Sequence, residues 1–360
     1  QLTYIVLAIA LVIMGLVLFL KAPLLRLLFG QVEPAVMEGS LVYFTISALS
    51  YPFIAVYSGG AALFRSMGNS RVTMYISLLM NGVNIAGNAV LVYGFGMGVA
   101  GVAWPSFVSR TLAAVIILCL LRDKRRTIYI RNLLSFRLDF PLMRSILRIG
   151  IPSSLENSVF QLGRVLLVSL ISTFGTVQIA ANAVANNLDY LGIIPGQAIG
   201  LAIITVVGQC VGAGEWEQVR HYTKRLLQVT YLCMWGLNGA ILLALPLVLN
   251  AYNLSAETWQ CAFYLVVIHA TGAMVLWPAS FTLPNALRAS GDVRMPMVIS
   301  IVSMLVFRLG FSIVLGVHME MGVMGVWIAM VIDWVVRVAC FIPRVRKKLW
   351  LEHPAPEQGK

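Results

Sequence analysis

Ten unbroken apolar blocks constrain what this chain can fold into more than any other feature; they run roughly over residues 3–20, 39–63, 73–93, 99–121, 149–172, 179–209, 226–248, 258–286, 296–317 and 322–343. A helix needs about 20 residues to cross a hydrocarbon core. Inside lipid, only helices and closed barrels satisfy their own backbone polar groups. None of the blocks alternates apolar and polar residues as a barrel strand does. The pattern predicts an all-α polytopic membrane protein. Only 11% of the 360 residues are charged, against about a quarter in soluble chains.

The net charge of +12 does not point to nucleic acid, because the cations sit in short connections between apolar blocks. With alternate connections (64–72, 122–148, 210–225, 287–295 and the tail 344–360) on one side, that side holds 20 of the 26 Lys and Arg residues and the other only Lys21 and Arg26. The positive-inside rule makes the rich side cytoplasmic. The connector 122–148 carries eight of these cations and is expected to lie on anionic lipid headgroups. Asp139 is placed to cap a short amphipathic helix starting near Pro141. The five cysteines show no metal or disulfide spacing. Gly96-x-Gly98-x-x-Gly101 matches a dinucleotide fingerprint in letters only, since no βαβ unit surrounds it, and no Walker A pattern occurs. No catalytic pair in facing segments suggests an enzyme.

The chain repeats itself. Arg65-x-x-Gly68-Asn69-x-Arg71 recurs as Arg288-x-x-Gly291-Asp292-x-Arg294, and Gly98-x-x-Gly101-Val102 as Gly322-x-x-Gly325-Val326. Corresponding connections fall on the same side, so the two halves are expected to be like-oriented bundles, a transporter architecture with the substrate cavity between them. The expected organisation is an N-terminal lobe over 1–121, the basic linker 122–148, a C-terminal lobe over 149–343 and a basic tail 344–360.

These motifs, with Asn84-x-x-x-Asn88, the run Gly150-Ile151-Pro152-Ser153-Ser154-Leu155-Glu156-Asn157 and Val207-Gly208-Gln209-x-x-Gly212, resemble the MATE (multidrug and toxic compound extrusion) family in its bacterial form. The resemblance spans essentially the whole chain and rests on the order and spacing of the motifs. It implies twelve helices in two lobes, ten of them here with two more ahead of Gln1. It also implies export of small amphipathic or cationic organic compounds in exchange for H⁺ or Na⁺ across the bacterial cytoplasmic membrane. The protein would act as a monomer among membrane lipids, with no cofactor beyond the coupling ion. The alternative within the same larger group is a flippase for lipid-linked precursors, which a basic cavity would favour. The family's fifth helix often reads Asn-x-x-x-Asp; here Asn84 and Asn88 stand there, with Ser106 in the same cluster, so this site offers oxygen to Na⁺ but no releasable proton.

An ionisable group inside a bilayer costs several kcal/mol unless paired or hydrated, so the few present are the candidates for cation coupling. Glu156 stands among polar neighbours, including Asn157 and Gln161, as a cavity wall requires; the alternative is a structural carboxyl near a helix end. Asn182, Asn186 and Asp189 share one helical face, beside Asn187 and ahead of Pro195 and Gln197, and read either as cavity lining or as polar glue between helices. Asp333 and Arg337 are spaced for an i, i+4 ion pair. Arg164 and Arg308 have no partner nearby in sequence and are expected to pair with Glu156 or Asp189, or to snorkel. His269 reads as core packing or as a proton relay.

Overall fold

The computed structural model describes residues 1–29, 34–125, 128–130 and 139–346. Parts of the basic linker (126, 127 and 131–138) and the tail from 347 onward lie outside the described residues. The described chain is helical throughout and divides into two units, Gln1–Ile146 and Leu147–Lys360. The first holds α1 (Leu2–Phe29), α2 (Pro34–Leu49), α3 (Tyr51–Ser66), α4 (Ser70–Asn88), a π-helical turn at Ala89–Gly94 and α5 (Gly98–Leu121). The second is built from α6 (Phe140–Ser172, which starts before the division), α7 (Thr176–Gly212), α8 (Trp216–Ala251), α9 (Ala256–Val275), α10 (Leu283–Ala289), α11 (Arg294–Val302), α12 (Phe311–Ile313) and α13 (Gly322–Arg346). Further π-helical turns occupy Pro278–Thr282, Ser303–Gly310 and Val314–His318.

Each expected block is helical, but three depart from the expected outline. The block 39–63 is two helices, α2 and α3, bent by 43°. Pro52 has no N–H to carry the ladder across the break. Buried Ser50 donates its hydroxyl to the Ser47 carbonyl at 2.6 Å and accepts from Arg110 at 2.6 Å. The block 149–172 belongs to a helix that begins at Phe140, so residues 140–148 of the expected linker are its first turns rather than a separate short helix. Asp139 does cap it, its carboxylate accepting the Leu142 N–H at 3.0 Å. The block 258–286 is interrupted after Val275, and Pro278 and Pro284 mark the interruption.

Eight described helices are long and apolar enough to cross a membrane, and the bent pair α2–α3 makes a ninth span. The exposure pattern is inverted relative to a soluble protein. Phe19 and Leu243 are 85% and 88% exposed, whereas Asp333 and Arg337 are 0% and 2% exposed. The chain is a multi-pass membrane protein.

The internal repeat is visible in backbone geometry. At the first motif, Gly68 N–H donates to Arg65 O and Asn69 N–H to Phe64 O, both at 2.9 Å; at its copy, Gly291 N–H donates to Arg288 O at 3.1 Å and Asp292 N–H to Leu287 O at 3.0 Å. Both are helix ends closed by a left-handed residue, Gly68 at φ +75° and Gly291 at φ +93°, which glycine adopts without strain. The second motif also matches: Met97 N–H donates to Leu91 O at 3.0 Å, and Met321 N–H to Leu315 O at 3.1 Å. In each copy a π-helical turn precedes the glycine pair that opens the last helix. The chain is one residue longer between Arg294 and Val314 than between Arg71 and Val90, and the π-helical turn Ser303–Gly310 accommodates the extra residue, since a π turn holds more residues than an α turn.

The closest backbone approach in this motif is at Gly325, where a Cβ would lie 2.6 Å from the Leu315 carbonyl carbon and 2.7 Å from the Gly316 nitrogen. At Gly101 the nearest backbone atom would be 3.2 Å away. We expect Gly325→Ala to lower the thermal midpoint of the purified protein by several degrees and Gly101→Ala to lower it less; equal midpoints for the two variants would contradict this ranking.

Candidate functional site

Apart from the Arg344–Asp292 pair at 2.5 Å, the buried charges of the second unit converge on α6, α7, α9, α13 and the segments α10 to α12, and they form three successive levels. The first level is a cavity of about 350 Å³ whose polar wall includes Glu156, Asn157, Gln197, Asn285, Arg288 and Arg337. Arg288 donates to Glu156 Oε1 at 2.5 Å and to Asn285 Oδ1 at 2.7 Å. The arginine that begins the second copy of the repeated motif therefore ties α10 to α6.

The third level is a smaller cavity of about 70 Å³, with Arg164, Asn182, Asn186 and Arg308 on its polar side and Leu167, Ile171 and Trp327 on its apolar side. The two cavities use the same helices. On α6, Glu156 and Leu167 are separated by about 16 Å of helix rise. On α7 the order reverses, with Asn182 and Asn186 at the smaller cavity and Gln197 at the larger, as an antiparallel neighbour requires.

Between the cavities lies a layer of paired charges. Asp333 accepts hydrogen bonds from Arg337 Nε at 2.9 Å and from Ser303. Its other oxygen lies 3.9 Å from an Arg308 nitrogen, too long for a hydrogen bond, and has no hydrogen-bond partner among the described residues. Arg337 also donates to the hydroxyl and carbonyl of Ser300 at 3.1 and 3.2 Å and stacks 4.9 Å from the Phe281 ring. In the same layer Asp189 meets His269, which is 2% exposed and held edge-on by Trp327 and Trp334 at 5.7 and 5.3 Å. Arg337 thus faces the larger cavity, Arg308 the smaller, and one carboxylate joins them.

This arrangement bears on two readings that the sequence leaves open. Arg164 and Arg308 do not pair with Glu156 or Asp189: Glu156 has Arg288, Asp189 has His269, and Arg308 faces Asp333. His269 is packed against the Trp327 and Trp334 rings, the first of its two sequence readings, and also touches Asp189. Of the residues expected to line a single cavity, Asn157 and Gln197 fall on the larger one and Asn182 and Asn186 on the smaller, while Gln161 and Asn187 are exposed and border neither. Sequence marks His269 as an ionisable residue within an apolar block and Arg288 as the repeated arginine, but it does not assign either of them its carboxylate partner.

In the first unit, Asn84, Asn88 and Ser106 come together as expected. Asn84 donates to Ser106 Oγ at 2.9 Å and Asn88 to Asn84 Oδ1 at 3.2 Å. Asn88 Oδ1 is buried without a hydrogen-bond partner among the described residues, so one carboxamide oxygen is left facing inward at the start of the π-helical turn.

Comparison with known proteins decides the family. The model of the MatE family matches residues 1–90 and 152–314. The chain belongs to the MatE family. MatE proteins are transporters, not enzymes, and move small molecules. The chain is 26% identical over 353 residues to the uncharacterized transporter YisQ of Bacillus subtilis, covering 96% of this chain and 76% of that one. It is 27% identical over 319 residues to the probable multidrug resistance protein NorM of Thermotoga maritima, covering 86% and 66%. The chain therefore spans about two thirds to three quarters of these relatives' own lengths. Two solved structures share the MatE fold at a TM-score of 0.87 over 98% of this chain and 78% of theirs. One is an outward-facing multidrug resistance MATE family transporter, 23% identical; the other is a MOP superfamily transporter from Pyrococcus furiosus described as having a binding pocket of reversed polarity, 22% identical.

Replacing Asp333 by Asn leaves Arg337 and Arg308 buried without their shared counter-charge. Breaking a buried pair in this way typically costs about 3–5 kcal/mol. We expect Asp333→Asn to lower the thermal midpoint sharply, and Asp333→Leu combined with Arg337→Met to recover part of the loss. A midpoint within a degree of the unmodified protein for Asp333→Asn would show that the layer is not held by charge.

Proposed function

We propose that this MatE protein is a secondary active antiporter that exports amphipathic organic compounds, cationic ones among them, in exchange for H⁺ or Na⁺ by alternating access. The observation that carries this reading is the Glu156–Arg288 pair on the wall of the larger cavity. A carboxylate paired with an arginine at a cavity surface is an exchange point: a proton or Na⁺ that reaches Glu156 competes with the guanidinium and loosens the tie between α6 and α10. Such an event drives a conformational change only through a difference in affinity between the two states. Asp189, in contact with His269 in the layer between the cavities, is the second coupling carboxylate. The neutral cluster Asn84, Asn88 and Ser106 offers oxygen to Na⁺ and has no proton to release. Asn157 and Gln197 are substrate-facing groups of the larger cavity, with Asn182 and Asn186 in the smaller; Gln161 and Asn187 would act only from their exposed faces.

The relatives support this reading: several carry descriptions as probable multidrug resistance proteins. The excess of Lys and Arg on one set of connections supports placement in a bacterial cytoplasmic membrane with the 122–148 linker and the C-terminus inside. A second reading, a flippase for lipid-linked precursors, is favoured by one observation, the two arginines that line the smaller cavity.

Dye accumulation in efflux-deficient bacteria expressing the protein tests the first reading. We expect Glu156→Gln and Asp189→Asn each to slow efflux by about tenfold or more, a change in barrier of about 1.4 kcal/mol. Efflux at the unmodified rate in both variants would remove these carboxylates from the mechanism.

A further inference from the structure

The polar lining of the smaller cavity of the second unit consists of guanidinium and carboxamide groups. Arg164 and Arg308 present guanidinium groups, and no carboxylate lines it. The orientation of Asn182 follows from its neighbour: the Trp327 indole N–H donates to Asn182 Oδ1 at 3.0 Å. An indole nitrogen can only donate, so the Asn182 oxygen is committed and its NH₂ group remains as a donor. Asn186 adds a second carboxamide one helical turn along the same face. The remaining wall, with Leu167, Ile171 and Met330, is apolar and lowers the local dielectric.

The charge balance points the same way. Asp333 is already bonded by Arg337 and reaches Arg308 only at 3.9 Å, leaving Arg308 Nε buried without a hydrogen-bond partner among the described residues. Arg164 forms no ion pair among the described residues. The enclosed Arg308 guanidinium requires compensation, and the planar fork of both arginines matches a carboxylate or phosphate. The cavity of about 70 Å³ exceeds the roughly 30 Å³ share of one water. It admits a group of carboxylate or phosphate size and excludes a whole drug-sized molecule.

We infer that this cavity is a binding site for the anionic group, carboxylate or phosphate, of an amphipathic ligand, clamped between Arg164 at the mouth and Arg308 at the floor with the Asn182 NH₂ as a further donor. The inference deepens the transport reading by giving the transported molecule an acidic group, and to that extent rests on it; the binding site itself does not. The group could belong to a solute or to an anionic lipid headgroup, and the apolar wall suits the adjoining carbon skeleton of either.

Binding of radiolabelled benzoate to the purified protein tests this, in nanodiscs of phosphatidylcholine and, separately, of phosphatidylglycerol. In phosphatidylcholine we expect saturable binding that unlabelled phenyl phosphate displaces and benzylammonium does not. Arg164 is exposed and unpaired, so Arg164→Gln should leave the thermal midpoint unchanged while weakening benzoate about tenfold or more, the loss of one charged hydrogen bond. Arg164→Lys should restore much of it. Benzoate binding that falls only in phosphatidylglycerol would identify the lipid headgroup as an occupant of the same site. Non-saturable binding, equal displacement by benzylammonium, or unchanged affinity in Arg164→Gln would overturn the proposal. Loss of dye efflux with benzoate binding intact would sink the transport reading and leave the site standing.

Discussion

The second unit is organised around one carboxylate that must be shared. Asp333 has no exposure to solvent, and two guanidinium groups approach it from opposite cavities. In a medium of low dielectric an unpaired charge at this depth would not persist, so each partner's position is set by the others. Arg337 needs Asp333 and also the hydroxyl and carbonyl of Ser300; Asp333 needs Ser303. Ser300 lies on α11 just ahead of the π-helical turn and Ser303 is the first residue of that turn, so these bonds tie both to α13. The ring of Phe160 sits 5.5 Å from Arg308 and 5.8 Å from Arg337, so α6 is drawn into the same arrangement through cation–π contact. What separates the two cavities is thus an ionic and aromatic partition, not a plug of aliphatic packing.

Such a partition distributes the polar groups unevenly. The larger cavity holds a carboxylate and two arginines, with the carboxylate in direct contact with Arg288. The smaller holds arginines and carboxamides alone. Asp189 belongs to neither wall and is instead bound to His269 inside the layer. On the proposed reading, a cation entering the larger cavity competes with Arg288 for Glu156, and an anion entering the smaller one meets the Arg164 and Arg308 donors. The larger cavity sets two arginines against one carboxylate, the smaller has arginines without a carboxylate, and the layer between them contains the charged groups that join the two.

The helices were legible because apolar length is a local property, and the boundaries that shifted did so at local chemistry whose effect depends on tertiary partners. Ser50 and Pro52 could be read from the sequence; that Arg110, sixty residues on, would stabilise a break between them could not. The candidate site was legible as a set of rare ionisable residues, but not as pairs. Spacing along one helix identifies Asp333 with Arg337, and it cannot identify Glu156 with Arg288, 132 residues away, because that contact is set by how α6 and α10 pack. His269 was ambiguous for the same reason: an imidazole among apolar residues looks like packing until a carboxylate from another helix is placed against it.

The repeat offers a way past that ambiguity. Counting from the matched glycine pairs, Asp333 stands where Ser109 does and Met330 where Ser106 does, while Arg308 lies in the π-helical turn that takes up the extra residue, next to the place of Asn84. Both units thus join the π-bearing helix to the final helix by polar side chains, through a neutral hydrogen bond in one and a charged contact about one turn further along the final helix in the other. A neutral link and an ionic link respond differently to the same ligand: the first can accept a small cation through an oxygen without redistributing charge, and the second cannot change partner without exposing a buried one. Duplication preserved the backbone that places the link and left its chemistry free to diverge, so the two units share a frame while the charged work is concentrated in the second.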